Sequence, residues 1–224
     1  MTELERRVVD KPTEFRAAAE GSGGVGVLTG YAVVFDSPSR DLGGWFEEIA
    51  PEAFGAPDAE GRVDMALHTR VIARAEHDSR LLLGTTDAGT LRLYIDDVGV
   101  RYEVDLPDTG AGRDVAALAK RGDYRHSSFA FHALEVEWRE NVAGSLVRRV
   151  IRSVLSDVAP VADPAYWAAT TQMRSAVDID AVRASLHPSP AGPGEWEAEA
   201  SKRAAAMTRE THPALANRAR KRGI

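Results

Sequence analysis

The sequence predicts an α+β fold that is mainly β. Two observations point that way. Segments rich in β-branched and aromatic residues recur between residues 25 and 161, separated by Gly, Pro, Asn and Asp. Only one stretch in that range, 114–120, carries a helical period with a stop signal behind it.

Residues 1–21 are charged throughout and read as a mobile arm or a short helix, which Gly21, Gly23 and Gly24 break. Residues 25–35 read as a strand, 36–44 as a loop around Pro38, Gly43 and Gly44, and 45–54 as a mixed apolar and acidic stretch with a short helix starting near Pro51. A loosely alternating segment, 63–74, is a strand candidate leading into His77, and 80–86 is another. Residues 90–96 and 98–106 form a predicted hairpin in which Leu91, Leu93 and Ile95 share one face. The helix at 114–120 has Val115 and Leu118 three apart and Gly122 as its stop. Residues 128–138 read as a long strand, 141–145 as a turn, and 146–161 as one or two further strands. Composition changes after about residue 175: 187–194 is a Pro/Gly linker and 195–222 is Ala- and charge-rich, too poor in large apolar residues to bury much. The predicted organisation is an N-terminal arm (1–24), one domain (25–175), and a linker with a weakly structured tail (176–224) ending in Arg218, Arg220, Lys221 and Arg222.

A chain of 224 residues, 44% hydrophobic and 28% charged, affords one ordinary globular core. Its formal net charge of −6 argues against non-specific nucleic-acid binding. The absence of cysteine excludes disulfides, thiol catalysis and Cys-based zinc sites. No apolar stretch approaches the ~18–20 residues of a membrane span. The N-terminus has no apolar signal core. The expectation is a soluble, intracellularly made protein with no nucleic-acid or membrane partner and no metal or organic cofactor.

Three distant segments carry the residue types of a serine hydrolase: Glu76-His77-Asp78, Arg121 to Phe131 with Ser127-Ser128 at the start of an apolar run, and Leu155-Ser156-Asp157-Val158. A serine hydroxyl needs a base to take its proton, and histidine titrates near neutrality. His187 and His212 lie in the weak tail. His132 is four residues beyond Ser128 in one predicted strand, about 13 Å away at ~3.3 Å per residue. His126 lies in the turn two residues before Ser128, where local geometry rarely positions a base. His68 and His77 remain, and His77 has the polar setting of a strand end. Asp157 sits in an apolar strand, where an ionised carboxylate needs a partner. That partner is either an arginine such as Arg148, Arg149 or Arg152, or an imidazole that it orients. Each residue alone also has a bland reading: a surface histidine, a buried hydroxyl bonded to backbone, a structural ion pair.

From residue 30 to about 171, roughly two thirds of the chain, the sequence resembles the HK97-type prohead (capsid maturation) proteases of tailed phages, which are related to herpesvirus assemblins. The matching stretches are 30–35, 46–54, Glu76-His77-Asp78 with Leu83-Gly84, 102–109, Arg121-Gly122-Asp123 leading to Ser128-Phe129-Ala130-Phe131, and 155–166 ending in Asp163-Pro164-Ala165-Tyr166, all in order. The resemblance implies a small assemblin-like β-barrel flanked by a few helices. It implies His77 as base, Ser128 as nucleophile, with Ser127 as its neighbouring alternative, and Asp157 as third member. Relatives commonly have Glu-Val-Ser where this chain has Asp157-Val158-Ala159, and Gly where it has Ala130. Arg148 and Arg149, preceding Asp157 on the same segment, are candidate oxyanion donors. The implied substrate is major capsid protein precursor or scaffold, cut inside the procapsid in the host cytoplasm, with self-cleavage that removes the tail. A homodimer is a further implication. The competing reading is a non-catalytic assembly factor of the same fold; a hydrolase acting on an ester is a third.

Overall fold

A computed structural model describes residues 3–9, 11–18, 24–64, 68, 70–162 and 177–187. The chain divides into units 1–179 and 180–224. Helix α2 (Ile179–Leu186) crosses that division and has no buried residue. The tail expected over 195–222, and Pro188 to Gly194 of the linker, lie outside the described residues.

The first unit holds two sheets. In the larger, the strand order is β1 (Glu5–Val9), β9 (His126–Glu140), β10 (Leu146–Val161), β5 (Ile72–Arg74) and β6 (Leu82–Thr85). A further strand, β4 (Trp45–Ile49), runs parallel to the first part of β10. The smaller sheet has the order β2 (Glu14–Ala17), β3 (Gly26–Val34), β8 (Gly99–Leu106) and β7 (Leu91–Ile95). The fold is therefore α+β and mainly β. No strand pairing among the described residues joins the two sheets or closes either into a ring, so the closed barrel implied by the resemblance is not what these pairings describe.

The hairpin of β7 and β8, the long β9 and a single unbroken β10 follow the sequence pattern. Helix α1 (Gly110–Arg121) extends the expected 114–120 at its start, where the Thr109 hydroxyl accepts from the Gly112 amide. Gly122 ends it in the left-handed conformation at φ 86°. The N-terminal segment departs from expectation. It is neither helix nor free arm: β1 pairs antiparallel with β9, Val8 opposite Ser128, and β2 pairs with β3. Residues 45–49 also form a strand, in which Trp45, Glu47 and Ile49 are buried. The acidic residues that disguised it, Glu47 and Glu48, are the register partners of Arg148 and Arg149 of β10.

The core lies between the two sheets, with Leu28, Val33, Val100, Tyr102 and Val104 from one and Phe129, Phe131, Leu155 and Val158 from the other. Gly30 of β3 sets the spacing. A Cβ there would lie 2.7 Å from Ser127 Oγ and 2.9 Å from the Tyr102 ring and hydroxyl. Gly30→Ala is thus expected to destabilise the fold by about 1–3 kcal/mol through overpacking, read as a lower thermal midpoint.

Candidate active site

Ser127 and Ser128 are consecutive in β9, so their side chains leave opposite faces of the strand. Ser127 Oγ turns into the core, 3.0 Å from the Tyr102 hydroxyl. Burial pushes the Tyr102 pKa up to about 12, so the phenol stays neutral. Ser128 Oγ lies 2.7 Å from Nε2 of His77. Nδ1 of His77 lies 2.6 Å from Oδ1 of Asp157. The other carboxylate oxygen of Asp157 is taken by the Arg74 guanidinium. The three residues from three distant segments are thereby connected in the order hydroxyl, imidazole, carboxylate.

Local geometry explains each placement. His77 closes a 3-10 turn (Ala75–His77) that follows β5. Glu76 and His77 both have left-handed backbone, φ 53° and 56°. Such non-glycine residues cost of order 1–3 kcal/mol each and persist where neighbours fix them. Here Asp78 donates its amide to Ala75 O at 2.9 Å, and Glu76 Oε1 accepts from the Ala162 amide at 2.8 Å. Arg80 closes the next turn by hydrogen bonding to Asp78, which holds that carboxyl down at about 2. On β10 the register shifts between Leu155 and Asp157, where Ser156 is the extra residue of a bulge. A bulge re-aims the side chain that follows it, and Asp157, opposite Ile72 of β5, meets the imidazole.

His68, the other base considered from sequence, is a core residue with no exposed surface. Its Nδ1 accepts from the Leu155 amide at 3.1 Å and its Nε2 faces Phe54 O at 3.3 Å. Burial lowers its pKa, which fits a neutral ring bonded at both nitrogens. The oxyanion expectation for Arg148 and Arg149 needs correction. Arg148 stands opposite Trp138, ten residues along β9 from Ser128. Its guanidinium is held by Glu5 at 2.6 Å and Glu47 at 2.8 Å, and Arg149 is held by Asp36 at 2.6 Å. Both guanidiniums are engaged by carboxylates.

Sequence reasoning missed β1. The Arg7 carbonyl accepts a hydrogen bond from Ser128 Oγ at 2.9 Å. One hydroxyl proton therefore faces two acceptors, His77 Nε2 and Arg7 O. Ser128 has no exposed surface in this arrangement. Four charged side chains anchor the strand: Arg7 and Glu5 of β1 against Glu47 and Arg148, all with side chains 13% exposed or less. Burial raises the pKa of Glu5, but hydrogen bonding and charge from Arg148 and then Arg7 prevail, and the net shift is downward. A depressed carboxyl stabilises the fold above its unfolded pKa of about 4.3, and that stabilisation is lost as pH falls through the folded value. The stability advantage of wild type over Glu5→Gln should therefore be full near pH 6 and shrink below about pH 4, measured as the difference in thermal midpoint.

Among the described residues, no group of three or more His, Asp and Glu is arranged to hold a metal ion, and no helix is long and apolar enough to cross a membrane.

A serine, a histidine and a carboxylate joined in this order form the arrangement used by serine hydrolases. The sequence model of the caudovirus prohead serine proteases matches residues 12–184, and the chain belongs to that family. It is a serine peptidase of the phage prohead, of the kind that acts in capsid maturation. No curated protein matches the sequence. Among solved structures, the chain is similar to the bacteriophage T4 capsid assembly protease, with a TM-score of 0.48 and 10% identity, covering 71% of this chain and 98% of that one. The matched region begins after β1.

Proposed function

We propose that the protein is an endopeptidase of the Ser-His-Asp type that cuts capsid precursor or scaffold protein inside the procapsid, in the host cytoplasm, and that Ser128, His77 and Asp157 carry the reaction. The observation that supports this best is the unbroken pair of hydrogen bonds, 2.7 Å and 2.6 Å, from Ser128 through His77 to Asp157. Asp157 holds the proton on Nδ1, which leaves Nε2 as an acceptor for the serine proton. Ser128 Oγ adds to the peptide carbonyl carbon while His77 takes the proton. His77 then gives it to the leaving amine as the C–N bond breaks. Water, deprotonated by the same imidazole, hydrolyses the acyl ester and restores the serine. Arg74 shares the Asp157 carboxylate and helps to fix its position. Self-cleavage within 176–224 and action as a homodimer belong to the same proposal.

A substrate strand reaches Ser128 once β1 has left the edge of β9. A free strand edge accepts an extended peptide through main-chain bonds. The buried state of Ser128 also suits a second reading, an assembly factor that keeps the fold without using the serine. Labelling with a fluorophosphonate separates the two. Full-length Glu5→Ala/Arg7→Ala, which loosens β1, is expected to label at Ser128 about tenfold faster than wild type or more. No labelling of either protein at Ser128 would favour the assembly factor.

A further inference from the structure

We propose that Glu47 and Arg148 form two adjoining subsites selecting a substrate of the pattern acidic–any–basic, in which the basic residue supplies the carbonyl that Ser128 attacks. The inference rests on Ser128 being the nucleophile.

β1 lies antiparallel on the strand that carries Ser128, and the carbonyl oxygen of Arg7 accepts a hydrogen bond from its Oγ at 2.9 Å, which puts the Arg7 carbonyl group beside the hydroxyl. An extended peptide adding to the same edge meets the hydroxyl in the same way, so the side chains of β1 report what the neighbouring surface accepts. Glu5 and Arg7 are two apart and share one face, while Arg6 between them is exposed. Arg148 grips Glu5 with both ends of its fork, Nη1 to Oε2 at 2.6 Å and Nη2 to Oε1 at 2.8 Å. Glu47 holds Arg7 by one hydrogen bond, from Nη2 to Oε2 at 3.0 Å, and by an ion-pair contact of Nε with Oε1 at 2.7 Å. Two cross-links complete the square: Arg7 to Glu5 at 2.8 Å and Arg148 to Glu47 at 2.8 Å. The Arg7 guanidinium also lies 5.6 Å over the Phe131 ring.

Buried charges are a poor way to gain stability, since desolvation offsets most of the attraction. They do discriminate, because a wrong partner leaves a charge unpaired. Glu47 and Arg148 come from paired strands, β4 and β10, and form a neutral pair without any help from β1. Each keeps hydrogen-bonding capacity directed at the β1 position. Only a strand bringing an acid and, two residues on, a base fills both. An open cavity of about 350 Å³ bordered by Arg7, Val8, Glu47 and Phe129 adjoins the site and leaves room for exchange of one strand for another.

The test offers ten-residue peptides to the full-length Glu5→Ala/Arg7→Ala protein, whose own strand no longer fills the subsites. One peptide has the sequence of residues 3–12; the others carry Glu5→Lys, Arg7→Glu, or both. Cleavage is expected after the Arg7 position, with kcat/KM about tenfold or more above the singly reversed peptides. Adding Glu47→Arg/Arg148→Glu keeps the pair opposite in charge and should invert the preference toward the doubly reversed peptide. A purely structural role for the pair predicts no inversion. Ser128-dependent cleavage without preference, a preference that the swap leaves unchanged, or cleavage of capsid precursor but of none of the peptides would overturn the subsites and leave the protease reading standing. Absence of Ser128-dependent cleavage of the peptides and of capsid precursor alike would overturn both.

Discussion

Asp157→Asn is expected to lower kcat/KM by about 10⁴-fold with little change in fold, the size of loss seen when the acid of other triads is neutralised. The carboxylate faces two donors, His77 Nδ1 at 2.6 Å and the Arg74 guanidinium. An asparagine has one acceptor oxygen and one amide nitrogen. Arg74 can only donate, so the oxygen turns to it and the amide turns to His77. Nδ1 must then accept, and the ring proton moves to Nε2. The atom that should take the serine proton is thereby blocked. Steady-state rates on a cleaved protein substrate, beside thermal midpoints, check this. A rate within tenfold of wild type would show that Asp157 does not set the imidazole tautomer.

Ser128→Ala should abolish turnover, a fall of about 10⁶-fold, whereas Ser127→Ala should keep it within about tenfold and lose stability instead. The two hydroxyls are adjacent in sequence and differ in what they touch. Ser127 is the hydrogen-bond partner of the fully buried Tyr102 hydroxyl, at 3.0 Å. Its removal strands a phenol in the core at a cost of about 1–3 kcal/mol. Removing the Ser128 hydroxyl takes away the nucleophile and one bond to Arg7 O. Of the two variants, Ser128→Ala should therefore show the larger loss of activity and Ser127→Ala the loss of unfolding free energy. Comparable activity loss in the two would overturn the assignment.

What could be read from the sequence followed from local pattern. Alternation marked β7 and β8, and Gly122 marked the end of α1, because period and stop are properties of neighbouring residues; the first turn of α1, capped by Thr109, was not read. His77, Ser128 and Asp157 stood out as chemistry-bearing types at strand ends and within apolar runs, and the family resemblance gave them an order. Composition did not separate Ser127 from Ser128; the resemblance, through the register from Arg121-Gly122-Asp123, favoured Ser128, and the strand's facing gives the two hydroxyls different partners. The strands β1 and β4 were illegible for one shared reason. Glu5, Arg7 and Glu47 look like solvated charges, and their burial depends on partners 40 to 143 residues away. Arg148 was misjudged by the same mechanism: near Asp157 in sequence, it is bound across the sheet to Glu5 and Glu47. The bulge at Ser156 that aims Asp157 likewise leaves no trace in the residue pattern.

The most direct test of the central claim is intact mass over time for full-length wild type and Ser128→Ala, each alone and with the capsid precursor. Defined fragments are expected from wild type and none from the variant. Intact chains in both, with the precursor still bound, would contradict it in favour of an assembly factor, and equal cleavage by both would remove Ser128 from the chemistry.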